Sequence, residues 1–134
     1  MNLRDTMSSN DVDAEKMRQI VVLYASDGYV AQVQNFGETA NEIRIWAIDR
    51  NGTHVPNWWA KQEELDALRR LGILEPEEWE TKKDETKAIR KYKLTDFGAK
   101  FAKESDREKL GYFAAAGYKA HGHREIAWEQ EELK

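Results

Sequence analysis

The sequence predicts a mainly α-helical domain with one small β-hairpin. Apolar residues recur at helical spacing in several segments, whereas residues 87–94 alternate with the period of two of a half-buried strand. The chain has 134 residues, which is the length of one ordinary domain with a single core. We therefore expect one folded unit that follows a disordered polar tail at residues 1–10.

The first predicted helix runs from residue 11 to about residue 26. Its apolar side chains fall at i, i+3, i+4 and i+7, so that they share one face: Met17, Ile20, Val21 and Tyr24. The pair Asp27-Gly28 follows and is typical of a helix end.

The segment at residues 39–52 fits two structures. Thr39 and Glu42 have the spacing of a capping box, after which Ala40, Ile43 and Ala47 would share a helical face. The string EIRIWAID at residues 42–49 also alternates like a strand, and Asn51-Gly52 favours a hairpin turn. Helix is the preferred interpretation, and strand stays open as the alternative.

A second helix is predicted over residues 56–71. Pro56 suits its first turn, and Gly72 stands where a left-handed residue ends many helices. One apolar stripe runs along it, formed by Trp58, Leu65, Leu68 and Leu71. This amphipathic pattern indicates a helix that packs on the core.

Two extended runs, residues 79–82 and 87–94, follow as a hairpin. In the second run Ala88, Tyr92 and Leu94 share the buried face. Thr95 or Asp96 caps the next helix, which carries Phe97 and Phe101. We expect Leu68, Leu94 and Phe101 to share one core. Further helices are predicted over residues 106–121 and around residues 126–133.

Two strings in this region resemble a known family. LDALRRLGILE at residues 65–75 and YKLTDFGAKFA at residues 92–102 are similar to the recognition-helix and wing pattern of bacterial winged-helix regulators, such as the MarR and PadR groups. The match covers about residues 56–105. The resemblance implies a winged helix-turn-helix domain at residues 11–105, with its helix-turn-helix at about residues 39–71 and helix 56–71 in the DNA major groove. Additional C-terminal helices, residues 106–134, would serve dimerisation or cover the core.

Basic charge is concentrated in the predicted wing. The chain has a net charge of −4, yet residues 82–93 hold six basic and two acidic side chains. Such lysines either contact phosphates or protect an exposed hairpin from edge pairing. The helix 56–71 is itself neutral, which is unfavourable for groove binding. The candidate DNA-binding residues are Asn57, Lys61, Arg70, Lys82, Lys83, Lys87, Arg90, Lys91 and Lys93.

Aromatic side chains indicate a second class of function. Trp59, Tyr112 and Tyr118 are candidates for a protein interface, where buried aromatic rings often anchor binding. From the resemblance we expect a winged-helix DNA-binding protein, a small transcriptional regulator that binds double-stranded DNA, and the resemblance also implies a homodimer. The alternative is a small winged-helix adaptor or inhibitor, of the phage or mobile-element type, that binds another protein.

No catalytic machinery is evident, and we expect a non-enzymatic protein without a cofactor. The chain has no cysteine, which excludes disulfides, thiolate metal sites and cysteine nucleophiles and agrees with a cytoplasmic location. His121 and His123 lack a third ligand with metal-site spacing, so we expect no metal site. No apolar stretch is long enough to cross a membrane.

Overall fold

The protein is an antiparallel sheet with helices packed on it. The structure, a computed structural model, describes residues 12–35, 43–81 and 87–120. Within these ranges the helices are α1 (Ala14–Ala25), α2 (Gln62–Arg70), α3 (Asp96–Phe101) and α4 (Asp106–Ala115). The strands are β1 (Tyr29–Asn35), β2 (Ile43–Ile48), β3 (Leu74–Pro76), β4 (Glu80–Thr81) and β5 (Lys87–Leu94). The predicted tail at residues 1–10 and the last predicted helix lie outside the described residues.

The prediction of a mainly α-helical domain with a small hairpin is wrong. The sheet has five strands in the order β2-β1-β5-β3, and β4 also pairs with β5. The expected hairpin is present, since β5 pairs antiparallel with β3 and β4. Its other edge, however, pairs with β1, which in turn pairs with β2. The hairpin is therefore part of a larger sheet, because β5 pairs with other strands along both of its edges.

Residues 43–48 form strand β2, and the preferred helical interpretation was wrong. All six residues pair with β1, from Gln34 opposite Ile43 to Tyr29 opposite Ile48. The turn after β2 is held by Asp49, whose Oδ1 accepts from the backbone N–H groups of Asn51 and Thr53 at 2.9 Å each. Among the described residues, the first helix of the implied helix-turn-helix pair is thus replaced by a strand and a loop.

Helix α2 begins at Gln62, six residues later than predicted. Asn57 adopts a left-handed backbone conformation with φ of 58°, and Lys61 is still extended, so Pro56 does not start a helix. The predicted end is confirmed, because Gly72 has φ of 76° and Ile73 N donates to Leu68 O at 2.9 Å. Helix α4 ends at Ala115 rather than at residue 121.

The helices cover one face of the sheet, which we call the inner face. Buried side chains of α1 and α2, such as Met17, Ile20 and Leu68, join one core with Val30 and Tyr92 of the strands. The predicted apolar face of α1 is confirmed. Helix α4 belongs to the same core, since its Phe113 is fully buried and packs with the others.

The turn from β5 into α3 has the predicted cap. Thr95 Oγ1 accepts from Gly98 N at 2.8 Å, and Thr95 N donates to Ile73 O at 3.0 Å. Gly98 lies against Ile73, where an ideal Cβ would be 2.0 Å from the carbonyl oxygen. Phe101 is buried in the core and Leu94 packs against it together with Leu68, so the expected shared core is confirmed.

A buried carboxylate joins the starts of α1 and α2. Glu64 is 1% exposed, and its two oxygens accept from Lys61 N at 2.8 Å and from Asp13 N at 3.4 Å. Burial raises the pKa of Glu64 above its usual value of 4.5, although the backbone hydrogen bonds oppose that shift. Glu64 thus links two backbone N–H groups at a cost in desolvation.

Candidate functional site on the outer face of the sheet

The side of the sheet opposite the helices, which we call the outer face, combines cations with aromatic rings. Side chains alternate between the two faces along each strand, so the register assigns each residue to a face. Residues of the outer face are Tyr29, Ala31 and Val33 on β1, Arg44, Trp46 and Ile48 on β2, Lys87, Ile89, Lys91 and Lys93 on β5, and Glu75 and Glu80 at the β3–β4 edge.

Two lysines of β5 lie over two rings of this face. Lys91 Nζ is 5.1 Å from the centre of the Tyr29 ring, and Lys87 Nζ is 5.7 Å from the centre of the Trp46 ring. Both lysines are exposed and both rings are partly exposed. A cation–π contact at such a site is worth about 0.5–1 kcal/mol, so each ammonium group is held weakly over its ring.

A third ring, that of His54, extends the aromatic surface past β2. His54 forms a bridge with Ile48, which places it beside β2 on the far side from β1. Its ring centre is 4.9 Å from that of Trp46, with 31° between the planes. The Asp49 turn brings it there, because Val55 N then donates to Ala47 O at 2.9 Å.

The charge of the outer face is predominantly positive. Arg44, Lys87, Lys91 and Lys93 are all exposed there. The acidic residues of the face, Glu75 and Glu80, lie at the edge. Glu75 Oε1 is 3.4 Å from Lys93 Nζ, and both side chains are about half exposed, so this pair contributes little to stability. With a net charge of −4 for the whole chain, positive charge is concentrated on this face.

The structure divides the predicted DNA-binding residues between two sides. Lys87, Lys91 and Lys93 lie on the outer face. Arg90 points to the inner face, where its guanidinium lies 5.7 Å from the Trp79 ring and 5.5 Å from the Tyr92 ring. Its buried Nε has no hydrogen-bond partner among the described residues. Lys82 and Lys83 lie outside the described residues.

The remaining predicted DNA-binding residues belong to the helical side of the protein. Asn57 is exposed in the loop before α2, Lys61 precedes the first turn of α2, and Arg70 ends the helix. Arg70 Nη2 donates to the Tyr118 hydroxyl at 3.3 Å. Because α2 packs on the inner face, its exposed residues and the outer-face lysines point to opposite sides of the sheet.

The three predicted protein-interface residues differ in exposure. Trp59 is 59% exposed, and Lys16 Nζ lies 4.4 Å from its ring centre. Partial burial lowers the pKa of Lys16. Tyr112 is 37% exposed and contacts the rings of Phe97, Phe101 and Phe113. Tyr118 is partly buried against the core.

Sequence reasoning missed Tyr29, Arg44, Trp46 and His54 as parts of a site. The signal was present for two of them, because the strand interpretation of residues 42–49 places Arg44 and Trp46 on one face. The helical interpretation removed that signal. The residues Tyr29 and His54 gave no signal by themselves, since Tyr29 is placed by pairing with β2 and His54 by the turn that returns the chain to Ile48.

Two kinds of site are absent from the part of the chain that the structure describes. It holds no group of three or more metal-ligating side chains suited to an ion. None of its helices combines the length and apolar character that a membrane span requires. Comparison with known protein families, curated proteins and solved structures finds no match for the chain.

Proposed function

We propose that the protein binds nucleic acid through the outer face of the sheet. The observation that carries the proposal is the combination on one face of four exposed cations, Arg44, Lys87, Lys91 and Lys93, with the rings of Tyr29, Trp46 and His54. Cations supply phosphate contacts and rings supply surfaces for bases, and nucleic-acid-binding proteins combine the two.

The acidic net charge of the chain is compatible with this proposal. Binding to a polyanion depends on the local potential of the contact surface, and exposed charges more than about 10 Å away are largely screened at 0.1 M salt. The exposed ends of α2 offer a weaker alternative, because Arg69 and Arg70 share that helix with Glu63 and Asp66. The outer face is therefore favoured over the helix as the contact surface.

The test is the salt dependence of binding to labelled oligonucleotides, measured by fluorescence anisotropy. The parent should bind with an affinity that falls steeply as salt rises. The double variant Lys87→Ala/Lys91→Ala should bind more weakly, and its slope of log K against log salt should be smaller by roughly 0.7–0.9 for each phosphate that a lysine no longer neutralises. Both lysines are exposed, so the variant should fold normally.

A matched control removes the same charge from the helical side. Arg69→Ala/Arg70→Ala changes two exposed cations of α2 and should leave affinity and salt slope near those of the parent. A parent without salt-sensitive affinity at low ionic strength would overturn the proposal. So would a result in which the α2 variant loses binding and the lysine variant does not, which would support the groove-binding helix instead.

A second candidate function, binding of a protein partner, is favoured by the exposure of Trp59. Trp59 is 59% exposed, and tryptophan is among the residues that most often anchor protein interfaces. If it is such an anchor, Trp59→Ala should weaken the complex by about 2 kcal/mol or more. A pull-down comparing parent and variant, with retained proteins identified by mass spectrometry, tests this. Equal retention of every protein would exclude Trp59 as an anchor.

A further inference from the structure

We infer that the outer face takes single-stranded nucleic acid, with bases stacked on Trp46 and Tyr29 and with Lys87 and Lys91 on the phosphates. This inference rests on the proposed function and specifies its ligand. The supporting observations are the width of the face, the placement of the rings and the positions of the two lysines over them.

The width of the face is the first argument against a duplex. From β2 to β3 the sheet spans four strands, or about 14 Å at the usual strand spacing. The major groove of B-DNA is about 12 Å wide and admits a helix or a two-stranded ribbon. A face of this width therefore lies across the phosphates of a duplex and cannot bring its rings to the paired bases.

The placement of the rings fits an unpaired strand. Trp46 lies opposite Ala31, and Tyr29 lies opposite Ile48, so the two rings are diagonal neighbours on adjacent strands. Diagonal neighbours are about 7–8 Å apart at their backbones and are within reach of adjacent ligand groups. Every unstacked base has a π-face, so two such rings accept successive bases of a strand without regard to sequence.

The lysines are positioned to exchange one partner for another. Each ammonium lies over a ring, at 5.1 Å for Lys91 with Tyr29 and 5.7 Å for Lys87 with Trp46. Both are exposed, and a phosphate is a stronger partner for an ammonium than an exposed ring. When a strand binds, each lysine moves to a phosphate and its ring becomes available to a base.

The contacts that the face offers are common to single strands of DNA and RNA. The described side chains of the outer face are cations, rings, aliphatic groups and two edge carboxylates. Cations bind phosphates and rings bind bases, and both strands carry these groups. The ligand is therefore defined by its unpaired bases and its backbone phosphates.

The experiment compares one sequence in three forms: single-stranded DNA, the same strand as RNA, and the DNA duplex. Affinities are measured by anisotropy for the parent and for Trp46→Leu, which keeps apolar bulk over the sheet and removes the ring. The parent should bind both single strands, DNA and RNA, more tightly than the duplex. Trp46→Leu should bind the DNA strand about 5- to 140-fold more weakly, the range expected for one stacked base.

Two further variants keep the result interpretable. Trp46→Phe retains a ring and should restore most of the affinity, whereas Trp59→Ala, which removes an exposed tryptophan from another surface, should bind like the parent. Circular dichroism shows whether Trp46→Leu folds. If it does not, Tyr29→Leu replaces it in the same comparison, with weakened binding to the strand again expected.

Several results would overturn the inference. Equal or tighter binding of the duplex, or unchanged affinity of the folded ring variant, would each do so. If, in such a case, Lys87→Ala/Lys91→Ala still binds more weakly than the parent and with a smaller salt slope, the proposed function stands and only the choice of ligand fails. Where the parent binds none of the three forms, both fail together.

Discussion

Replacement of Gly98 by alanine tests whether the approach of α3 to the sheet is as close as the structure has it. Gly98 lies in the first turn of α3, and an ideal Cβ there would be 2.0 Å from Ile73 O and 2.9 Å from Ile73 C. An ordinary contact is 3.4–4 Å. The obstacle is backbone, which cannot rotate away as a side chain can. Gly98→Ala therefore requires α3 to move.

The magnitude follows from two opposing effects. Overpacking of a close contact costs about 1–3 kcal/mol, and a backbone obstacle places this site at the upper end. Alanine is favoured over glycine in a helix by up to about 1 kcal/mol, and less in the first turn. Movement of α3 also strains the 3.0 Å hydrogen bond that Thr95 N donates to Ile73 O. We expect a net loss of about 2 kcal/mol in the free energy of unfolding.

The assay is urea denaturation followed by fluorescence of the five tryptophans, with circular dichroism as a second probe. The control is Gly111→Ala in α4, where an added Cβ meets nothing within 4 Å. That exposed position should gain about 0.5–1 kcal/mol from the better helix former. If Gly98→Ala matched or exceeded the parent in stability, the close packing of α3 on Ile73 would be refuted.

Two further predictions concern the core and its buried carboxylate. Leu68→Ala should lower the free energy of unfolding by roughly 2–5 kcal/mol, because Leu68 is fully buried. The control Arg69→Ala changes an exposed neighbour and should stay within about 0.5 kcal/mol of the parent. If Leu68→Ala melted at the same temperature as the parent, the shared core would be contradicted. Burial raises the pKa of Glu64, so its ionisation lowers stability as pH rises from about 4.5 through the raised pKa. The parent should therefore be more stable, relative to Glu64→Gln, at pH 4 than at pH 7. Urea denaturation of both proteins at the two pH values measures this. If the parent's relative stability were instead higher at pH 7, burial would be excluded as the dominant effect on Glu64.

Local signals predicted several elements well. The face of α1, the left-handed end of α2 at Gly72, the alternation along β5 and the Thr95 cap all follow from interactions within a few residues along the chain. For these features, the residues that determine the local structure lie in the same short segment of the chain as the structure itself.

Residues 42–49 show where local reasoning fails. The capping-box spacing of Thr39 and Glu42 and the alternation of EIRIWAID favour different structures over nearly the same residues. The decision came from β1, which pairs with all six residues of β2 on one side and with β5 on the other. The paired residues of β1 and β2 lie 9 to 19 positions apart in sequence, and those of β1 and β5 lie 52 to 60 apart, so a pattern read within residues 42–49 contains neither pairing.

The sequence by itself determined the composition of the candidate site, namely a basic run in an acidic chain and a set of aromatic residues. Only the tertiary structure decided which of these residues meet. Side chains alternate across a strand, so the sheet register sends Lys87 and Lys91 to the outer face with Trp46 and Tyr29, and sends Arg90 inward to Trp79. A shift of one residue in that register would exchange the two faces, and register is set by long-range pairing and core burial rather than by neighbours in the chain.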